Sequence, residues 1–136
     1  AQIELSDRPE FASCEYHSWG YPREVAQEML HIEEGAPENP DLIFTQGYVR
    51  RRFNRSPRGM LFRGTHYYEV SEIAGEGYSG SPLILKREIN NNSLWRAFGI
   101  YVGENLKVGY AVRLNDFLDW KPEILSKSIF EEANSN

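Results

Sequence analysis

The stretch GEGYSGSPLILKREINNNSLWRAFGIYVG, which covers residues 75–103, decides the fold. Two β-rich runs, residues 82–89 and 94–102, lie on either side of the polar segment 90–93. Asparagine tolerates the positive φ that a tight hairpin turn requires, so this segment predicts a turn between two antiparallel strands. The glycines ahead of Pro82 predict that a loop, and not a helix, leads into the hairpin.

Further β-rich runs, separated by clusters of Gly, Pro and Asn, occur on both sides of this hairpin. They are residues 13–19, 41–53, 60–70 and 107–114. Short strands at fairly even intervals with turn residues between them are typical of an antiparallel barrel or sandwich. We therefore predict an all-β fold in a single domain over residues 1–136, namely a six-stranded antiparallel barrel with a C-terminal α-helix.

Two segments have helical character. Asn115 is a suitable N-cap for the amphipathic sequence after it, which predicts a closing helix over about residues 115–130 and a frayed tail at 131–136. Residues 23–34 place apolar side chains among helix-forming residues, which is compatible with a short helix or with an irregular acidic loop. No linker and no internal repeat divides the chain.

The composition of the 136 residues limits the classes of protein to consider. A formal net charge of -5 argues against general attraction to nucleic acid or to an anionic membrane. The one cysteine, Cys14, excludes an intrachain disulfide and favours a reducing, cytoplasmic compartment. The sequence has no apolar run that could span a bilayer and no signal-peptide pattern. Because it starts at Ala1 and not at Met, we expect this N-terminus to arise by processing or by omission of a preceding segment.

The glycine-rich segment allows three chemical interpretations. Gly75, Gly77 and Gly80 have the G-x-G-x-x-G spacing of a dinucleotide-binding loop, but such a loop opens a helix, whereas Pro82 begins a predicted strand. A nucleophile elbow, G-x-S-x-G, is disfavoured because Ser81 stands where the second glycine belongs and no helix follows. The third interpretation keeps the order Gly-x-Ser-Gly-Ser-Pro ahead of an aliphatic strand.

That third pattern, at residues 77–82, resembles the nucleophile loop of the trypsin-like (chymotrypsin-fold) serine peptidase family. The resemblance implies that Ser79 is the nucleophile and that the backbone N–H groups of Gly77 and Ser79 form an oxyanion hole. The hairpin, strand and helix that follow come in the family's order, and residues 19–22, Trp-Gly-Tyr-Pro, resemble a turn of bacterial and viral members. The likeness covers roughly residues 1–120 and implies the second barrel of a chymotrypsin-like double barrel.

In this family the first barrel supplies the general-base histidine and its aspartate, and the second supplies the nucleophile. Residues 1–5 resemble the strand just after that aspartate, so we expect an N-terminal His/Asp barrel to be a partner, as a separate or cleaved chain. The chain's own histidines, His17, His31 and His66, are expected to be structural or solvated, although His66, on the strand that leads to the nucleophile loop, could instead line the specificity region. The implied function is a serine endopeptidase acting through an acyl-enzyme, inactive without that partner. The alternative is a catalytically inactive binding or scaffold module.

The resemblance also locates a substrate pocket. Its floor falls near Ile73, which implies a small or medium apolar substrate residue because no carboxylate stands there. Its walls are expected at Tyr101, Val102, Gly103 and Gly109. The backbone at 102–103 is expected to pair with an extended polypeptide substrate. Tyr78 replaces the Asp with which digestive members pair a newly freed N-terminus, which implies that this zymogen switch is missing.

Two other features have simpler explanations. Arginines concentrate on one predicted hairpin and could form a nucleic-acid patch, although a solvated hairpin is favoured by the negative total charge. They are Arg50, Arg51, Arg52, Arg55, Arg58 and Arg63. Cys14 and His17 alone supply too few ligands for a metal, so we expect no metal site and no cofactor.

Overall fold

The computed structural model describes residues 3–5, 14–23, 42–53, 66–72, 74–89 and 92–134. Within these ranges the chain is mostly β-structure. The strands are β1 (Ile3–Leu5), β2 (Glu15–Gly20), β3 (Ile43–Phe53), β4 (Tyr67–Val70), β5 (Pro82–Ile89), β6 (Asn92–Asn105) and β7 (Val108–Arg113). A 3-10 helix, Leu114–Phe117, follows β7, and one short α-helix, α1 (Ile129–Ala133), lies near the C-terminus.

Strands β2 to β7 form a closed six-stranded antiparallel barrel. Their order is β6-β5-β2-β3-β4-β7, and β7 pairs again with β6 to close the ring. Strand β1 lies outside this ring and pairs with β6 in parallel, with Ile3 opposite Trp95. Closure pairs β6 and β7, the two ends of the strand order, with each other. The predicted fold class is confirmed.

The hairpin predicted within residues 75–103 is present as β5 and β6. The pairing runs from Ile89 opposite Asn92 to Pro82 opposite Ile100. Strand β6 is 14 residues long because its first part pairs with β5 and its second part with β7. Strand β6 therefore closes the barrel, and it changes its pairing partner from β5 to β7 next to the loop that precedes β5.

The barrel interior is packed with aromatic side chains. Tyr16, Tyr68, Tyr78 and Tyr101 are at most 2% exposed, and Tyr68 meets Phe98 edge to face with ring centroids 5.3 Å apart. Burial raises the pKa of Tyr16, Tyr68 and Tyr101, because a phenolate would lose its hydration there. Burying one such ring contributes on the order of 2–3 kcal/mol before entropy costs, so apolar packing is the main source of stability.

The closing helix predicted over residues 115–130 was wrong in position and length. The chain instead makes the 3-10 helix Leu114–Phe117 and then the helix α1, Ile129–Ala133. Pro122 lies between them and has no N–H to continue a helix. The N-cap is Ser128, whose hydroxyl accepts from the Glu131 N–H at 3.2 Å, while the Glu131 carboxylate accepts from the Ser128 N–H at 2.8 Å. These bonds lower the pKa of Glu131 and place residues 131–133 of the predicted frayed tail in the helix.

Other predictions met the structure only in part. The strand predicted over 60–70 is observed as Tyr67–Val70, and residues 60–65 lie outside the described ranges. The segment 24–34, for which helix and loop were both considered, also lies outside them. The same holds for Ile73, His31 and the arginines at 55, 58 and 63.

Candidate functional site

The loop between β4 and β5 contains glycines with positive φ, which its backbone path requires. Gly77 has φ +89 and Gly80 has φ +98, which are values that residues with a Cβ rarely adopt. A Cβ on Gly77 would also lie 2.8 Å from the carbonyl oxygen of Tyr21 and 2.9 Å from the nitrogen of Arg23. Gly77 is therefore fixed twice, by its backbone angle and by the close approach of residues 21–23.

Hydrogen bonds attach this loop to the barrel on two sides. The Gly80 N–H donates to the Tyr101 carbonyl at 2.8 Å, and the Tyr101 N–H donates to the Ser81 carbonyl at 2.8 Å. The Arg23 N–H donates to the Glu76 carbonyl at 2.6 Å, and the two side chains form an ion pair at 3.0 Å. The loop is thus held against β6 and against the end of β2 together.

Ser79 lies exposed in this loop. Its hydroxyl donates to the Val102 carbonyl oxygen at 3.3 Å. Among the residues that the structure describes, neither the Gly77 N–H nor the Ser79 N–H makes a hydrogen bond. Gly77 and Ser79 are two residues apart in one loop, and backbone donors of this kind in the loop of an exposed hydroxyl are the elements from which an oxyanion hole is built.

A cleft of about 330 Å³ opens beside Ser79, between the loop and the end of β2. Its lining includes Trp19, Tyr21, Gly77, Gly80 and Pro82. It is large enough to receive a side chain or a short stretch of backbone, and it reaches the serine hydroxyl from one side.

On the other side of Ser79 lies an open strand edge. The pairing of β5 with β6 stops at Ile100, and the bonds of Tyr101 to the loop extend it by one residue. Beyond that point the described strands pair with β6 only on its β7 side, and a bulge lies between Tyr101 and Gly103. Val102 and Gly103 are partly exposed there. An extended peptide can add to such an edge as a further antiparallel strand.

Of the residues predicted to line a pocket, Tyr101 and Gly109 are in contact with each other. A Cβ on Gly109 would lie 2.7 Å from the Tyr101 ring, so the ring occupies the space that a side chain would need. The Tyr101 hydroxyl donates to the Glu104 carboxylate at 3.0 Å and accepts from the Ala74 N–H at 3.3 Å. Val102 and Gly103 form the open edge, and the proposed floor, Ile73, lies outside the described residues.

Sequence reasoning missed Glu104. Its carboxylate accepts from the Tyr101 hydroxyl and also from the Gly75 N–H, at 3.2 Å. It thereby links β6 to the start of the loop between β4 and β5, which carries Ser79 and which we call the serine loop. Its place one residue after the predicted substrate edge was the available signal. Side-chain bonds to backbone N–H groups are a frequent way of fixing a loop.

Tyr78 is a core residue. It is 1% exposed, and its ring meets that of Tyr101 edge to face with centroids 5.7 Å apart. A Cβ on Gly20 would lie 2.8 Å from the Tyr78 ring. The side chain that precedes the proposed nucleophile is therefore held by apolar packing.

Neither described histidine contacts Ser79. His66 lies opposite Arg113, one residue before β4, and its Nδ1 is 3.1 Å from the Asp116 carboxylate. The serine loop leaves β4 at the strand's other end, after Val70. His17, on β2, packs against the ring of Phe44 on β3. Within the described residues, therefore, no histidine lies beside Ser79 as a general base.

An aromatic cluster on the barrel surface was not predicted. His17 and Trp19 alternate along β2 and meet Phe44 and Trp95, with centroid separations of 5.6 Å for His17 and Phe44 and 5.8 Å for Trp19 and Trp95. The Lys86 ammonium lies 5.8 Å from the centre of the Trp95 ring. Alternation along one strand was the signal, but the partners depend on which strands become neighbours.

No protein-family model, no curated protein and no solved structure matches this chain. In the described part of the chain, no helix has the length and apolar character to cross a membrane. Within the same ranges, no three His, Cys, Asp or Glu side chains gather where they could bind a metal ion. The geometry around Ser79 is therefore the feature that bears on function.

Proposed function

We propose that this chain is the nucleophile-bearing part of a serine endopeptidase of the trypsin-like type, with Ser79 as the nucleophile. The observation that carries the proposal is the position of Ser79. Its hydroxyl is exposed in the loop that also carries two backbone N–H groups without a described partner, and it is bonded to the first residue of an open strand edge. A peptide paired with that edge would have its backbone next to the hydroxyl.

In the proposed reaction the Ser79 Oγ attacks the carbonyl carbon of the substrate peptide bond. A histidine of the partner barrel takes the hydroxyl proton, and the N–H groups of Gly77 and Ser79 donate to the developing oxyanion. The C–N bond then breaks, and the histidine gives the proton to the leaving amine. Water, activated by the same histidine, hydrolyses the acyl-enzyme and restores Ser79.

The partner barrel is required because a serine hydroxyl without a base is a weak nucleophile at neutral pH. Loss of a triad member lowers the rate by several orders of magnitude. We therefore expect this chain alone to be almost inert, and we expect the His/Asp barrel to come from a separate or cleaved chain. The small or apolar substrate residue implied by Ile73 belongs to the same proposal.

The test is covalent labelling of the longest native assembly that contains this chain. A fluorophosphonate probe should label the assembly at Ser79, and intact-mass analysis should show one adduct on this chain. Ser79→Ala should abolish the label, whereas Ser81→Ala, a change in the same loop, should retain it. Absence of a label, or a label that persists in Ser79→Ala, contradicts the endopeptidase function.

One observation favours a second function, a catalytically inactive binding module. The Ser79 hydroxyl is already bonded to the Val102 carbonyl, and within the described residues it has no histidine. A binding module would still use the open edge at Val102 and Gly103 to hold an extended peptide. It would bind such a peptide equally well in Ser79→Ala, and no assembly would react with the probe.

A further inference from the structure

A second cleft, of about 660 Å³, lies on the outer face of the barrel. It crosses β3, β4 and β7, where Arg51 pairs with Glu69 and Glu69 with Tyr110. Tyr68 and Ala111, the neighbours of these residues, point into the core. Because side chains alternate along a strand, Glu69 and Tyr110 face outward and form the floor of the cleft. We call it the arginine cleft.

The arginine cleft carries an excess of positive charge. Arg51 and Arg50 both pair with Glu69, at 2.7 Å and 3.4 Å, and Lys107 lies on the rim. The Glu69 side chain is only 7% exposed, whereas those of Arg50 and Arg51 are 52% and 67% exposed. The buried carboxylate holds the two guanidinium groups in place, and among the described residues that line the cleft it is the only anion beside three cations. This local charge is opposite in sign to the formal net charge of -5 on the whole chain.

Leu106 adds an apolar rim that folding does not explain. It is 91% exposed and has φ +59 in the tight turn between β6 and β7. Such turns favour Asn or Gly, and a leucine with positive φ costs about 1 kcal/mol or more. An exposed leucine also gains nothing from burial. Backbone strain at a residue beside a charged cleft is an outlier of the kind that accompanies binding sites.

From this arrangement we infer that the arginine cleft binds an acidic segment of a polypeptide. One or two carboxylates of the segment pair with Arg50 and Lys107, and an apolar side chain next to them packs on Leu106. Arginine and lysine held at the edge of a cleft are well suited to carboxylates. This site is separate from Ser79 and does not depend on the proposed hydrolysis.

A polypeptide fits the cleft better than a nucleic acid does. Tyr110 is only 7% exposed, so the ring in the floor offers no open face on which a base could stack. The negative total charge of the chain repels a long polyanion. The turn residue Leu106 gives an apolar contact that a phosphate backbone cannot use.

Fluorescence anisotropy with the full chain tests the inference. The probe is the fluorescein-labelled peptide Glu-Glu-Leu-Glu-Glu-Leu, with Gln-Gln-Leu-Gln-Gln-Leu as the uncharged control. The acidic peptide should bind, and its affinity should fall as added salt screens the charges. The glutamine peptide should not bind. Arg50→Gln with Lys107→Gln should weaken binding at least tenfold, while Lys121→Gln, an exposed change elsewhere, should leave it unaltered. Arg51 is left in place because its loss would leave Glu69 buried with weaker pairing.

Leu106→Asn separates binding from folding. Asparagine tolerates positive φ, so this variant should raise the midpoint of thermal unfolding by roughly 3 °C. The same variant should bind the acidic peptide several-fold more weakly. Equal affinity in the Arg50/Lys107 variant, or in Leu106→Asn, overturns the inference. So does tighter binding of a single-stranded oligothymidylate of equal charge, which would assign the cleft to nucleic acid.

Discussion

Ser79 donates the hydrogen of its hydroxyl group to the carbonyl oxygen of Val102, 3.3 Å away. Val102 lies at the bulge of β6, just past the point where β5 stops pairing with that strand. The serine and the open edge are therefore joined by one hydrogen bond. Under the proposed function, a substrate N–H that takes Val102 as its acceptor releases the hydroxyl for the incoming base.

Gly77→Ala should destabilise the chain strongly. The new Cβ would meet the backbone of Tyr21 and Arg23 at less than 3 Å, and φ +89 would strain the alanine. We expect the free energy of unfolding in urea to fall by about 3 kcal/mol. Gly75→Ala is the matched control, because Gly75 has φ +83 but no atom within 4 Å of a Cβ, and it should lose only about 1 kcal/mol. Equal losses would mean that the contact with residues 21–23 does not matter.

Glu104→Ala should loosen the serine loop. It leaves the part-buried Tyr101 hydroxyl and the exposed Gly75 N–H without their carboxylate acceptor, which costs about 1 kcal/mol of unfolding free energy because water can replace the exposed bond. Glu104→Gln retains an acceptor oxygen and should cost less. Urea unfolding of the double variant with Tyr101→Phe checks the mechanism. If the cost of Glu104→Ala is the same with phenylalanine at position 101, the hydrogen bond to Tyr101 contributes nothing.

The serine loop and its hairpin could be predicted because their signals are local. The positive φ of Gly77 and Gly80 and the pairing of Ile89 with Asn92 depend on residue types within a few positions. The closing helix failed for an equally local reason. Asn115 has the residue type of an N-cap, but Pro122 interrupts the segment, and the capping box that starts the helix is at Ser128.

The side-chain clusters could not be predicted because they depend on strand register. Tyr101 lies over Gly109 only because a bulge shifts the pairing of β6 with β7. Glu69 meets Arg51 only because β4 lies between β3 and β7. A sequence fixes which residues alternate on a strand, but not which strand becomes the neighbour or where a bulge falls.

The stability of the chain should fall in alkaline solution, in part through Cys14. Burial raises the pKa of its thiol from 9.0 to about 11. Because the folded pKa lies above the unfolded one, this stability is fully present below pH 9 and is lost as the pH rises towards 11. The loss is at most about 2.7 kcal/mol for two pH units. Urea unfolding at several pH values measures it, and Cys14→Ala removes this part of the decline. A wild-type curve parallel to that of Cys14→Ala would show that the thiol does not contribute.

Imidazole should partly replace the missing base of Ser79. In the isolated chain the hydroxyl is bonded to the Val102 carbonyl, so labelling by a fluorophosphonate should be slow. Free imidazole near neutral pH can enter the cleft of about 330 Å³ beside the serine and accept its proton. The labelling rate should then rise at least tenfold with imidazole concentration and saturate if imidazole binds in the cleft. N-methylacetamide, which has no basic nitrogen, is the control for a solvent effect and should leave the rate unchanged.

Mass analysis must place the adduct on Ser79, since acceleration that survives in Ser79→Ala would come from another nucleophile. A rate that does not respond to imidazole would mean that this hydroxyl cannot be activated from the cleft side, and the partner barrel would have to approach from the strand edge.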